Sequence, residues 1–116
     1  YKDDMPELLQ KMIDADVLVL STPVYFYCMN AQLKTVIDRT VARYTEIEDK
    51  DAYLIATAGE DGMKAMEGTI TSFRGFLDCL ENVREAGLIL GHKVHELGEV
   101  RDNPAMQEAY NSGRSV

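Results

Sequence analysis

Apolar positions fall into alternating helical and extended blocks along the chain. Met5, Leu8, Leu9, Met12 and Ile13 share one helical face behind a capping Asp4, with Pro6 in the first turn and Glu7 three residues after the cap. Val17 to Leu20 is then a continuous apolar run rich in β-branched residues, the pattern of a parallel strand covered on both faces. Ser21-Thr22-Pro23 should end its ladder, because proline lacks an N–H and turns its predecessor away from helix. Asn30 opens a second helix, on which Leu33, Val36, Ile37, Thr40, Val41 and Tyr44 fall on one face. Thr45 to Asp51 reads as a solvated connection and Tyr53 to Ala58 as the second strand. Gly59-Glu60-Asp61-Gly62 makes a turn. Met66, Ile70, Phe73, Leu77 and Leu80 define a third helix, in which Gly68 and Gly75 suggest close packing against another helix or subunit. Val83 to Leu90 is the last strand, and Asn103-Pro104 opens a final helix that Gly113 ends.

Helices alternating with strands predict an α/β fold, with three parallel strands joined by right-handed crossovers in one domain over residues 1–116. Sites in such sheets lie at the carboxyl edge of the strands. Two segments reach that edge: the loop Val24-Tyr25-Phe26-Tyr27-Cys28-Met29 and the glycine turn at 59–62. The helical faces account for a core without the aromatic loop. That loop also precedes a helix amino terminus, whose unpaired N–H groups favour electron-rich atoms of a ligand.

Charge narrows the partners. Twenty Asp and Glu against twelve Lys and Arg give a net charge of −8 over 116 residues, and no basic run offers a footprint for nucleic acid. No apolar run approaches the ~20 residues of a membrane span, so a cytoplasmic location is the default expectation. Cys79 reads as a core residue in its helix and Cys28 as a packing group. His92, His95 and Glu96 follow the order His-Lys-Val-His-Glu, which is not the zinc pattern His-Glu-x-x-His, and no metal site is expected.

Ser21-Thr22-Pro23-Val24-Tyr25-Phe26-Tyr27-Cys28-Met29-Asn30-Ala31-Gln32-Leu33-Lys34, followed by Ile37-Asp38-Arg39, resembles the flavin loop and following helix of the NADPH-dependent FMN reductase family, closest to its iron-sulfur flavoprotein branch. The resemblance extends to Thr57-Ala58-Gly59, to Ala65 through Thr69 and to the tail from Asn103 to Gly113. It implies a flavodoxin-like three-layer α/β/α sandwich with a parallel sheet, lacking here the first strand-helix-strand. It further implies an FMN-dependent oxidoreductase that passes a hydride from NADH or NADPH to FMN and electrons on to an acceptor, with no catalytic side chain required. The cofactor-binding residues it implies are Pro23, Val24, Tyr25, Phe26, Tyr27 and Cys28 in the first loop and Thr57, Ala58, Gly59 and Gly62 in the second. Glu60 and Asp61 depart from the family's glycine-rich second loop, so they should point away from an anionic cofactor or meet a neighbour's cations. The family's phosphate loop and clustered cysteines would lie upstream of these residues, so this stretch by itself is expected to hold FMN weakly or not at all. A homo-oligomer, dimer or tetramer, is expected.

Two other classes compete. A non-catalytic subunit or electron carrier would use the aromatic loop as a protein interface. A phosphoacceptor receiver of the same fold would need an acidic cluster at the strand ends, but Asp16 lies at the wrong end of its strand.

Overall fold

The computed structural model describes residues 2–116. In chain order the elements are α1 (Met5–Asp14), β1 (Val17–Tyr25), β2 (Cys28–Met29), α2 (Ala31–Arg39), β3 (Glu48–Thr57), α3 (Glu67–Asp78), β4 (Glu81–Gly91) and α4 (Pro104–Arg114), with short 3-10 turns between several of them. The sheet order is β2-β1-β3-β4. β1, β3 and β4 run parallel, as expected, with Val17 opposite Asp51 and Leu54 opposite Leu88. β2 is an antiparallel addition that pairs only with the tip of β1.

The main core lies on one side of this sheet. Met5, Leu9 and Met12 of α1 and Ile70, Phe73, Phe76 and Leu77 of α3 close over Leu18, Leu20, Ala52, Leu54 and Ala56. Leu33, Val36 and Ile37 of α2 pack against the edge of this cluster. Full burial of Phe73, Ile47, Leu54 and Met66 contributes about 1.5–3 kcal/mol each by removing apolar surface from water. α4 packs on the opposite side, where Ala109, Ser112, Gly113 and Val116 approach Val19, Tyr53, Ile55 and Ile89.

Several expectations are corrected. β1 does not stop at Pro23 but pairs through it, Pro23 opposite Thr57, and ends at Tyr25. A strand with an unpaired outer side tolerates proline where the ring nitrogen faces away from the neighbour, and among the described residues β1 has only the two-residue β2 on that side. Nor is β1 covered on both faces: Leu18, Leu20 and Thr22 are buried, whereas Val19 between them is 58% exposed. Continuous hydrophobicity hid an alternation that only the placement of the helices makes visible.

Residues 45–51 are not a solvated loop. β3 begins at Glu48, and Lys50 is buried, its ammonium donating to the carbonyls of Ile13 and Ala15 at 2.7 and 2.5 Å. These carbonyls leave the end of α1 without helical partners, so the lysine serves as its C-terminal cap. At the other end Asp4 holds the N-cap position, as expected, but the side-chain bond comes from Asp3, whose carboxylate accepts the Met5 N–H at 3.1 Å and pairs with Arg39 at 2.7 Å. α2 ends at Arg39, and two 3-10 turns carry the chain on, which leaves Val41 exposed. Cys79 follows the end of α3 and is exposed, not a core residue. Gly75 has open space above it, and α4 runs past Gly113 to Arg114.

Candidate functional site

The aromatic segment is a hairpin. Tyr25 pairs with Cys28, leaving Phe26 and Tyr27 as a two-residue loop with φ of +50° and +66°. Positive φ at both central positions is what a type I′ turn requires, and it suits the twist of the flanking strands. For aromatic residues this conformation costs about 1–2 kcal/mol each, so the surroundings must hold it. Phe26 stands almost wholly in solvent at 99% exposure, with Tyr25, Tyr27 and Cys28 also exposed. Met29 is buried and Val24 is partly buried against the core.

Three residues hold the hairpin: Thr22, Asn30 and Gly68. The Thr22 hydroxyl, almost fully buried, accepts the Asn30 N–H at 2.9 Å and donates to the Pro23 carbonyl at 2.7 Å, tying the strand to the start of α2. Asn30 caps that helix as predicted, its side-chain oxygen accepting the Leu33 N–H at 2.9 Å. On the other flank, Gly68 in the first turn of α3 receives the Tyr27 carbonyl so closely that any Cβ at 68 would collide with it.

Facing the hairpin is the loop after β3. Val24, Phe26 and Tyr27 form one wall of a cleft of about 170 Å³, and Ala58, Gly59, Glu60 and Ala65 form the other. Five of the ten cofactor-binding residues expected from the sequence therefore meet across one gap. Pro23 and Thr57 lie beneath them as strand partners, while Tyr25 and Cys28 form the closing pair of the hairpin. Gly62 does not line the cleft. Its φ of +87° makes the turn, and its N–H is spent on the Asp61 carboxylate at 2.9 Å. Glu60 and Ala65 also line the cleft: Glu60 does not lie clear of it as expected, and Ala65 opens the stretch to Thr69 that the family resemblance covers without marking it as a binding residue.

The N–H groups of Gly59, Glu60 and Asp61, and those of Phe26 and Tyr27, have no acceptor among the described residues. Unspent donors on both sides of a gap walled by aromatic and small residues can hold the polar rim of a flat heteroaromatic molecule.

The segment after β4 completes this edge. The Ala58 N–H donates to the Gly91 carbonyl and the Val94 N–H to the Ala58 carbonyl, both at 2.9 Å. Lys93, at φ +57°, reaches the Asp61 carboxylate at 3.1 Å and holds its pKa below the ordinary value. Asp61 thus meets a cation of its own chain rather than of a neighbour. The carboxyl of Glu99 is likewise held low, by the N–H groups of Glu96 and His95 at 2.9 and 2.7 Å. No three His, Cys, Asp or Glu side chains among the described residues converge as a metal site would require.

The sequence model described as NADPH-dependent FMN reductase matches residues 1–92. An FMN-dependent NADH:quinone oxidoreductase of Pseudomonas aeruginosa is 34% identical in an alignment of 106 residues that covers 75% of this chain and 52% of that protein. An iron-sulfur flavoprotein of Archaeoglobus fulgidus is 40% identical over 63 residues, covering 51% of this chain and 32% of that one. The chain thus spans about half or less of the length of these relatives. Among solved structures, the Trp repressor binding protein of Bacillus subtilis superposes with a TM-score of 0.77 at 20% identity, over 96% of this chain and 74% of its own. That likeness bears on the fold alone, which is flavodoxin-like. The family match spans most of the residues that build the cleft, and the chain belongs to the NADPH-dependent FMN reductase family.

Proposed function

We propose that this chain carries the ring-binding half of an FMN-dependent NAD(P)H oxidoreductase, the cleft between the aromatic hairpin and the Ala58–Glu60 loop taking the edge of the isoalloxazine. The observation that carries the reading is the set of unpartnered amides at Phe26, Tyr27, Gly59 and Glu60, all residues that line the cleft. The donor set fits, because a flavin presents ring nitrogens and carbonyl oxygens along one edge and an apolar edge opposite. Bound FMN would supply hydride transfer from NADH or NADPH and electron delivery to an acceptor such as a quinone.

This chain's own residues bind and orient. The amides of the Gly59 loop would fix the polar edge, Val24 and Tyr27 would exclude water from the ring's rim, and the exposed Phe26 would lie against its face or against the incoming substrate. No side chain here needs to move a proton. A volume of about 170 Å³ is below the ~300–1,000 Å³ of a typical ligand pocket, so the two loops make one end of a site. The phosphate end and the remaining wall come from other segments or a second subunit. Residues 1–116 act on this reading as one domain of a cytoplasmic homo-oligomer. No described helix is long and apolar enough to cross a membrane.

A second reading draws on the 99% exposure of Phe26: the Tyr25-Phe26-Tyr27 tip anchors another protein, and the chain is a non-catalytic subunit. An absorbance scan after incubation with FMN and desalting separates the two. Retained bands near 375 and 450 nm, bleached by NADH or NADPH and restored by a quinone, support the oxidoreductase. A colourless protein that still binds a partner through Phe26 supports the subunit.

A further inference from the structure

One group at the carboxyl edge has no part in the scheme above. The imidazole of His95 lies on the backbone of Gly59, so that a Cβ added there would come within 2.8 Å of both Nδ1 and Cε1 of the ring. Gly59 has no positive φ to explain its identity. What glycine provides at this position is room for the imidazole. The backbone beneath the ring is anchored from the other side, since Glu99 Oε2 accepts the N–H groups of His95 and Glu96 at 2.7 and 2.9 Å. The ring nitrogens make no hydrogen bond among the described residues, although the ring lies within electrostatic reach of the Glu99 carboxylate. An anchored imidazole with an unspent donor and acceptor therefore stands against a residue that lines the cleft.

We propose that His95 is a binding residue of this site, hydrogen-bonded to the polar edge of the ring held between the hairpin and the Ala58–Glu60 loop, and that Gly59 is the residue that admits it. The proposal rests on the reading that this ring is a flavin. A neutral imidazole donates from one nitrogen and accepts at the other. That pair matches the alternating N–H and carbonyl groups of a flavin's pyrimidine edge. The sequence shows His95 only as half of a failed zinc pattern, because its nearness to Gly59 depends on the pairing of β3 with β4.

The test is an FMN titration of the full chain, followed by quenching of flavin fluorescence, with thermal melts of each apoprotein. The variants are His95→Ala, His95→Gln, Gly59→Ala and the double variant Gly59→Ala with His95→Ala. Loss of one hydrogen bond should weaken FMN binding by His95→Ala about five-fold, without moving the melt, since the side chain is exposed. His95→Gln, which keeps a donor and an acceptor, should retain most of the affinity. Gly59→Ala should match the loss of His95→Ala by displacing the ring, and the double variant should be no weaker than His95→Ala alone. Wild-type binding of FMN that His95→Ala leaves unchanged would overturn the proposal, as would losses that add in the double variant. Absence of FMN binding by the wild type when the phosphate end of the site is present, in the whole protein or its oligomer, is a different failure: it removes the flavin reading and the proposal together.

Discussion

Gly68 and Tyr27 are in backbone contact: the Tyr27 carbonyl occupies the space where any side chain on Gly68 would begin. The first turn of α3 therefore sets where the aromatic hairpin stands. Gly68→Ala should push the hairpin away and destabilise the protein by about 1–3 kcal/mol, against the ~1 kcal/mol that alanine otherwise gains over glycine in a helix. Gly75, seven residues on in the same helix, meets nothing within 4 Å. Its replacement by alanine should stabilise by about 0.5–1 kcal/mol. Denaturant melts of the two variants should move in opposite directions.

Phe26 and Tyr27 hold backbone conformations that suit asparagine and glycine. Replacing the pair by Asn-Gly should raise stability by about 1 kcal/mol by relieving the strain, while removing the rings that face the cleft. A variant that melts higher and retains less FMN on desalting is the expected outcome. Unchanged retention would assign the aromatics to something other than the flavin.

Thr22 carries the link between β1 and α2 in a single hydroxyl. Thr22→Val keeps the shape but leaves the Asn30 N–H without its acceptor, at a cost of about 1–2 kcal/mol. Thr22→Ser should restore most of this. The pair of melts distinguishes the hydrogen bond from simple packing.

Acid should weaken the carboxyl edge. Asp61 and Glu99 have folded pKa values below their ordinary 3.8 and 4.5, Asp61 chiefly through Lys93 and Glu99 chiefly through the amides of Glu96 and His95. A depressed carboxylate pKa contributes stability that is present above the unfolded value and lost as pH falls through the folded one. The melting temperature should therefore hold near neutrality and decline below about pH 4.5. Lys93→Ala should flatten the part of that decline owed to Asp61, seen as a smaller difference between melts at pH 6 and pH 3.5.

Much of the site could be read in the sequence. The run from Ser21 to Arg39 indicated a strand, an aromatic loop and a capped helix, and Asn30 and Leu33 form that cap. The hairpin could not be read, because Phe-Tyr carries none of the Asn-Gly signal of a two-residue turn and its strain is borne by Thr22 and Gly68 instead. Lys50 looked like part of a charged connection because its acceptors, the carbonyls of Ile13 and Ala15, belong to a different segment. Asp61 looked misplaced beside an anion because Lys93 lies 32 residues away along the chain.

By itself the sequence determined the alternation of helices and strands, the parallel sheet and the two loops at its carboxyl edge. These follow from periodicity, capping and glycine placement, which act over a few neighbouring residues. Tertiary structure alone decided which face of β1 is open, that Gly68 seats the Tyr27 carbonyl, and that Gly59 seats His95. These depend on backbones meeting from distant parts of the chain, and a missing Cβ has meaning only once the atom that fills its place is known.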